Sequence, residues 1–253
     1  MKFYEVGGHV RDSLLGIKSK DVDYSVDMTG INLMFTDDLK EDPNYVANAY
    51  YEHMNRELTA MGFEIFLESP ACFTTRAKFP KNHKHQGVAD FVMCRKEIGY
   101  IPGTRQPIVE LGNLYDDLER RDFTVNAIAK CIETDEIIDP FNGQLDLINN
   151  LLRCPINAQT SFNDDPLRLI RALRFNVTKG FVFDEDIVNT LVKFESAKLI
   201  VVSTERIREE LYKMFHYSTL ATLENISWLR GRNFELYKVL FEKIWLKPTL
   251  EDK

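Results

Sequence analysis

The sequence predicts an α+β fold, a small mixed sheet with helices followed by an all-helical part. Three observations point to it. Segments with two-residue alternation, such as DVDYSV at 21–26, are confined to the first half of the chain. Gly and Pro punctuate that half at short intervals. From Pro166 onward strand signals are few and apolar residues recur at helical spacing. With 253 residues the chain can bury a sizeable core.

Taken in order, KFYEV at 2–6 predicts a short strand, broken by Gly7-Gly8, and HVRDSLLG predicts a helix ended by Gly16. Residues 21–26 predict a half-buried strand with Asp21, Asp23 and Ser25 on one face and Val22, Tyr24 and Val26 on the other. A helix is expected over 43–61, stopped by Gly62. Strand-like pieces follow at 63–67 and 87–94, with the polar stretch PKNHKH between them. There His83 and His85 read as two exposed loop histidines. Residues 96–108 carry Gly and Pro at loop density, and helical character begins at 114. DPFNG at 139–143 is a turn.

Composition narrows the function classes. Hydrophobic residues at 44% and charged residues at 28% suit a soluble globular protein and exclude disorder as the main state. No apolar run approaches the ~20 residues of a membrane helix, and the N-terminus turns polar too soon for a signal peptide. Cys72, Cys94, Cys131 and Cys154 are widely spaced, without a C-x-x-C pair, which reads as reduced thiols in the cytoplasm. The overall net charge is −7, carried by an acidic first half and a mildly basic second half. That balance leaves RNA binding undecided.

Several constellations carry chemistry. A strand running into Gly-Gly and a helix exposes backbone N–H groups suited to phosphate. Asp21 and Asp23, two apart on a strand, share one face and repel each other unless a cation lies between them, and a magnesium pair for phosphoryl transfer suits that geometry. Arg120-Arg121-Asp122 sets two phosphate-binding cations beside an acceptor for a ribose hydroxyl. Arg168, Arg171 and Arg174 recur every three residues near one helix face, and Asp165 before Pro166 is a natural N-cap.

These segments resemble a known family. GGHVRDSLLG at 7–16 followed by D-V-D, then RRDFTVNAIA at 120–129, DPFNGQLDL at 139–147, DDPLRLIRALRF at 164–175 and ERIREEL at 205–211 occur in the order seen in the class II tRNA nucleotidyltransferases and bacterial poly(A) polymerases. The resemblance implies a nucleotidyltransferase catalytic head over 1–140, a helical neck for base recognition over 141–215 and a short helical body remnant over 216–253. It implies Asp21 and Asp23 as ligands of Mg2+, with Asp90 as a third carboxylate. Gly8 and Arg11 would cradle the triphosphate, Arg121 would contact the nucleotide, and Asp122 would lie near its sugar. Asp165 and Arg168 would face the base edge of CTP or ATP, flanked by Arg171 and Arg174. The family's Glu before Asp165 is Asp164 here. The expected activity is addition of CMP and AMP to the 3′ end of tRNA. The loop at 96–108 would serve the switch from CTP to ATP. Single-step CC or A addition, poly(A) synthesis and a non-catalytic RNA-binding module are the alternatives. The family's usual body and tail are longer than the roughly 40 residues that follow the last motif, so a head, a neck and a stub of body are expected.

Overall fold

The computed structural model describes residues 1–19, 22–36 and 42–245, leaving aside the side chains of Lys243 and Trp245. Two compact units emerge. One comprises residues 1–100 with 107–145, the other 101–106 with 146 onward.

The first unit is built on a mixed sheet. Strand β1 (Lys2–Val6) leads into helix α1 (Gly8–Leu14), and β2 (Val22–Asp27) returns antiparallel to β1. Helix α2 (Pro43–Ala60) starts where Asp42 accepts from the amides of Asn44 and Tyr45, with Pro43 fixing the first turn. Then come β3 (Glu64–Ser69), β4 (Thr74–Lys78) and β5 (Val88–Met93). A separate hairpin, β6 (Arg95–Tyr100) and β7 (Pro107–Leu111), precedes α3 (Leu114–Glu119), β8 (Ala129–Cys131) and β9 (Ile137–Ile138). Among the described residues the sheet runs β3-β4-β5-β2-β1-β8-β9, with β2 parallel to β5 and the other neighbours antiparallel.

Alternation along the strands sorts the two faces. Phe3, Val22, Tyr24, Val26 and Phe91 pack with Tyr51, Met54 and Leu58 of α2. Tyr4, Val6, Ala127 and Ala129 pack with Leu114 and Leu118 on the other side. Asp23 belongs to that second face, because each β2 residue shares its face with its antiparallel partner and Asp23 pairs with Val6.

Two expectations need correction. Residues 96–108 are mostly a β-hairpin, not a loop, and only the tip at 101–106 is irregular. Gly99 sits at a register shift, Pro102 lies in the tip and Pro107 opens β7, so the residues that looked like loop signals are hairpin devices. Strand β4 was not expected at all. Its inward residues are the small Thr75 and Ala77, which leave little hydrophobic signal.

Helix α4 (Gly143–Ile148) follows the turn at 139–143, with Asp139 accepting from the amides of Gly143 and Gln144 at 2.7 and 2.9 Å. Gly143 lies hard against the turn that follows Arg120-Arg121-Asp122. A Cβ there would stand 2.2 Å from the Thr124 carbonyl oxygen and 2.8 Å from Ile128 Cγ1. Gly143→Ala should therefore destabilise the first unit by about 1–3 kcal/mol, read as a lower urea midpoint.

In the second unit β10 (Leu151–Leu152) pairs in parallel with β11 (Val182–Phe183), a small departure from the all-helical expectation. The helices are α5 (Ala158–Asp164), α6 (Leu167–Lys179), α7 (Glu185–Lys193), α8 (Thr204–Tyr217), α9 (Thr219–Arg230) and α10 (Phe234–Tyr237), the last followed by a π-helical segment, Lys238–Trp245. Helix α6 is the hub, with Leu169, Ile170, Ala172 and Leu173 fully buried, and Gly180 at φ 75° ends it. No described helix is long and apolar enough to cross a membrane.

Candidate functional site

The Gly-Gly turn is where the first unit gathers its cations. Gly7 takes φ 70°, a conformation that suits glycine, and α1 begins at Gly8. A Cβ on Gly7 would lie 3.2 Å from Arg121 Nη1, and one on Gly8 would lie 3.4 Å from Arg11 Nη2. Two guanidinium groups thus close on one glycine turn. Arg11, only 6% exposed, donates from Nη1 to Asn126 Oδ1 at 2.6 Å and from Nε to Asp12 Oδ1 at 2.9 Å. Asn126 in turn donates to Asp122 Oδ1 at 2.9 Å, and that oxygen also accepts from the amide of Phe123. Gly8, Arg11, Arg121 and Asp122 are thereby brought together, with Asn126 as the connecting side chain.

The strand register places the carboxylates beside this turn. Asp23 pairs with Val6, the residue just before Gly7, and on its other side with Asp90 of β5. Asp23 is exposed. Asp90 is held by Arg76 of β4 through two hydrogen bonds, Nε to Oδ1 at 2.6 Å and Nη2 to Oδ2 at 2.7 Å. Asp21 lies outside the described residues. Among the described residues no three His, Cys, Asp or Glu side chains converge on a metal-binding group. The oxygen-only donor chemistry of Asp23 and its strand neighbour nevertheless fits a hard cation such as magnesium.

Beneath the turn runs a buried charge network that sequence reasoning missed. Asp117 of α3 is fully buried and accepts from Ser25 Oγ at 2.5 Å, from Arg120 Nη2 at 2.5 Å and from Arg121 Nη2 at 3.1 Å. Glu97 lies 3.6 Å from Arg120 Nη1 and 3.0 Å from Arg95 Nη2, and accepts from the Tyr100 hydroxyl at 2.5 Å. The available signal was spacing, since Asp117 precedes Arg120 and Arg121 by three and four residues on a helix. Burial by itself would raise the Asp117 carboxyl, but Arg120 and Arg121, with the Ser25 hydrogen bond, outweigh it and hold it at about 2. A carboxyl depressed on folding adds stability above its unfolded value of 3.8, and that stability is lost as the pH falls toward 2. Wild-type protein should lose about 2 kcal/mol through this group over that window. Urea titrations from pH 6 to pH 2 should show this part of the slope missing in Asp117→Asn.

The second unit carries the remaining predicted residues. Asp165 sits between α5 and α6, where its Oδ1 accepts from the amide of Leu167 at 3.0 Å, as expected of a cap. Arg105, from the segment 101–106, also grips it with Nε and Nη2 at 2.6 Å each. Arg168 is 9% exposed and donates from Nη1 to Ser161 Oγ at 2.9 Å. Arg171 and Arg174 lie over the Phe175 ring, 5.8 and 4.6 Å from its centroid. Arg174 also donates to Glu210 of α8, which burial would raise but Arg174 and Arg171 hold below its ordinary value. Asp165 and Arg168 are neighbours at one helix start, whereas Arg174 is engaged in joining α6 to α8.

His83 and His85 are not the bare loop residues expected. His83 stacks on Phe79 at 4.6 Å, and burial pushes its pKa down. His85 Nε2 lies 3.2 Å from Oε1 of the buried Glu5, which Lys84 also contacts at 3.2 Å.

The family model described as the poly A polymerase head domain matches residues 3–153. Among solved structures the chain is similar to the Thermotoga maritima CCA-adding enzyme complexed with tRNA_CCA, at TM-score 0.67 and 26% identity, covering 96% of this chain and 48% of that one. It is similar to the Bacillus stearothermophilus CCA-adding enzyme in complex with CTP, at TM-score 0.67 and 27% identity, covering 93% and 49%. A third similar structure is a tRNA nucleotidyltransferase complexed with a primer tRNA and an incoming ATP analog, at TM-score 0.59 and 26% identity, covering 95% and 59%. The chain thus spans about half the length of the first two.

Proposed function

The chain belongs to the poly A polymerase head domain family of nucleotidyltransferases, and on that premise we propose that it adds CMP and AMP to the 3′ end of tRNA without a nucleic-acid template. The observation that carries this reading is the convergence of Arg11 and Arg121 on the Gly7-Gly8 turn, next to the strand bearing Asp23. Polyphosphate cations and a carboxylate strand are the two halves of a phosphoryl-transfer site. The similar enzymes with bound CTP, ATP analog and tRNA support the choice of substrates.

In this reading the 1–140 head does the chemistry and the 141–215 neck reads the base. The terminal 3′-hydroxyl of the RNA attacks the α-phosphate, a new O–P bond forms, and pyrophosphate leaves. Arg11 and Arg121 hold the triphosphate, with Gly8 letting it approach the backbone. Asp122, tied to Asn126, faces the ribose. Asp21 and Asp23 would hold magnesium, which when bound would supply charge neutralisation during the transfer. Both oxygens of Asp90 accept from Arg76, which favours an orienting role for it over proton acceptance. Asp165 and Arg168 meet the base edge of CTP or ATP. Arg171 would flank the nucleotide, and Arg174 would do so only by sharing its bond to Glu210. Free, mostly buried cysteines suit a reducing cytoplasm.

Incubating the protein with tRNA ending before C, after CC and after CCA, each with CTP or ATP, tests the proposal. The expected result is CMP on the first substrate, AMP on the second and nothing on the third. AMP addition to all three would indicate a poly(A) polymerase, and no incorporation with magnesium present would sink the catalytic reading.

A further inference from the structure

Asp117 is the most deeply buried carboxylate among the described residues of the first unit, yet the transfer chemistry assigns it no task. Its oxygens are divided. Oδ1 accepts from Arg120 Nε at 3.0 Å and Nη2 at 2.5 Å, while Oδ2 accepts from Ser25 Oγ at 2.5 Å and Arg121 Nη2 at 3.1 Å. Arg121 Nη2 donates to Ser25 Oγ as well, also at 3.1 Å. Among the described residues every side-chain hydrogen bond of Arg121 leaves from this one nitrogen. Its Nε is buried without a partner, and its Nη1 lies at the Gly7 turn. Held by Nη2 on two acceptors, the guanidinium keeps Nη1 at the glycine turn, where it can donate to a phosphate oxygen.

We infer that Asp117 is a positioning residue for phosphate recognition: it pins Arg121 by Nη2 so that Nη1 is left for the phosphates of a nucleoside triphosphate at the Gly7-Gly8 turn. The inference rests on the nucleotidyl-transfer reading and deepens it. Ser25 makes the arrangement tighter. It lies two residues from Asp23 on the same strand face, so one hydroxyl links the anchor of the phosphate cation to the carboxylate strand. Arg120, bound to Asp117 and facing Glu97, locks the anchor from the opposite side.

The sign of one substitution separates this role from simple electrostatics. Asp117 is an anion close to a site for anions. If it acted through charge alone, Asp117→Asn would tighten phosphate binding. If it acts by positioning, the same change lets Arg121 swing and weakens binding. The experiment titrates the full chain with CTP and, separately, with inorganic tripolyphosphate. Asp117→Asn should weaken both by about ten- to hundredfold, with KM for CTP rising far more than kcat falls. Ser25→Ala keeps the charge and removes one of the two acceptors of Arg121 Nη2. It should weaken both ligands by about three- to tenfold, and it decides the matter should Asp117→Asn fail to fold. A folded Asp117→Asn or Ser25→Ala that binds tripolyphosphate as tightly as wild type, or more tightly, overturns the inference alone. Wild-type protein that binds neither ligand overturns the nucleotidyl-transfer reading and this inference together.

Discussion

Asp23→Ala should abolish nucleotidyl transfer and leave the fold standing. Asp23 is exposed on β2, so truncating it opens no cavity in the core formed by Val22, Tyr24 and Val26 on the opposite face. It pairs with Asp90, whose charge Arg76 already meets, so the effect on stability should be small. The loss in rate should be large, since under the proposed mechanism the carboxylate would hold the cation that stabilises charge in the transition state. Several kcal/mol of such stabilisation correspond to about a thousandfold or more in rate. Asp21→Ala should behave alike on the evidence of the sequence pattern. The checks are single-turnover incorporation of labelled CMP and a urea midpoint for each variant. Near-wild-type turnover in both variants with magnesium present would remove the carboxylate-pair mechanism.

Arg168→Ala and Asp165→Asn should relax the choice of nucleotide by about ten- to hundredfold, measured as UTP or GTP incorporation relative to CTP. The expectation has a structural basis. Arg168 is nearly buried at the first turn of α6, held by Ser161, and Asp165 stands just before it. Two such groups can offer donors and an acceptor to one planar base edge, and a mismatched base leaves a buried polar group unpaired. Asparagine also caps helices, so Asp165→Asn spares the start of α6 while removing the charge that Arg105 grips. Arg105→Ala is the informative companion, because it frees the Asp165 carboxylate without touching the cap. If Asp165→Asn and Arg168→Ala lose rate but keep wild-type selectivity, Asp165 is a cap and Arg168 a phosphate clamp.

Much of the fold was legible because particular residues announce it. The short KFYEV run before Gly7-Gly8 and the alternation in DVDYSV marked two adjacent strands to within one residue, and Pro43 and Gly62 bracketed α2. Strand β4 escaped because TTRAK buries only a threonine and an alanine. The β6–β7 hairpin escaped because a bulge at Gly99, Pro102 in the tip and Pro107 at the start of β7 imitate a loop. Arg11, Arg121 and Asp122 were visible as charged motifs, but Asn126, which joins them, is an ordinary residue until the chain folds. Asp117 was hidden because a carboxylate on a charged helix looks solvated, and only its three- and four-residue spacing to Arg120 and Arg121 hinted otherwise. Glu5 could have been suspected, since alternation puts it on the Phe3 face of β1.

The parallel pairing of β2 with β5 also fixes when during folding the site can exist. Strand β1 finds β2 across a short connection, so the Gly7-Gly8 turn and Asp23 come together early. Strand β5 joins β2 only after α2, β3 and β4 have been laid down, because the whole intervening chain must close as a loop before Asp90 reaches Asp23. A nascent or partly refolded chain should therefore own its glycine turn before Asp90 stands beside Asp23. Full activity should then return after denaturation later than the helical signal, because the orienting carboxylate docks last.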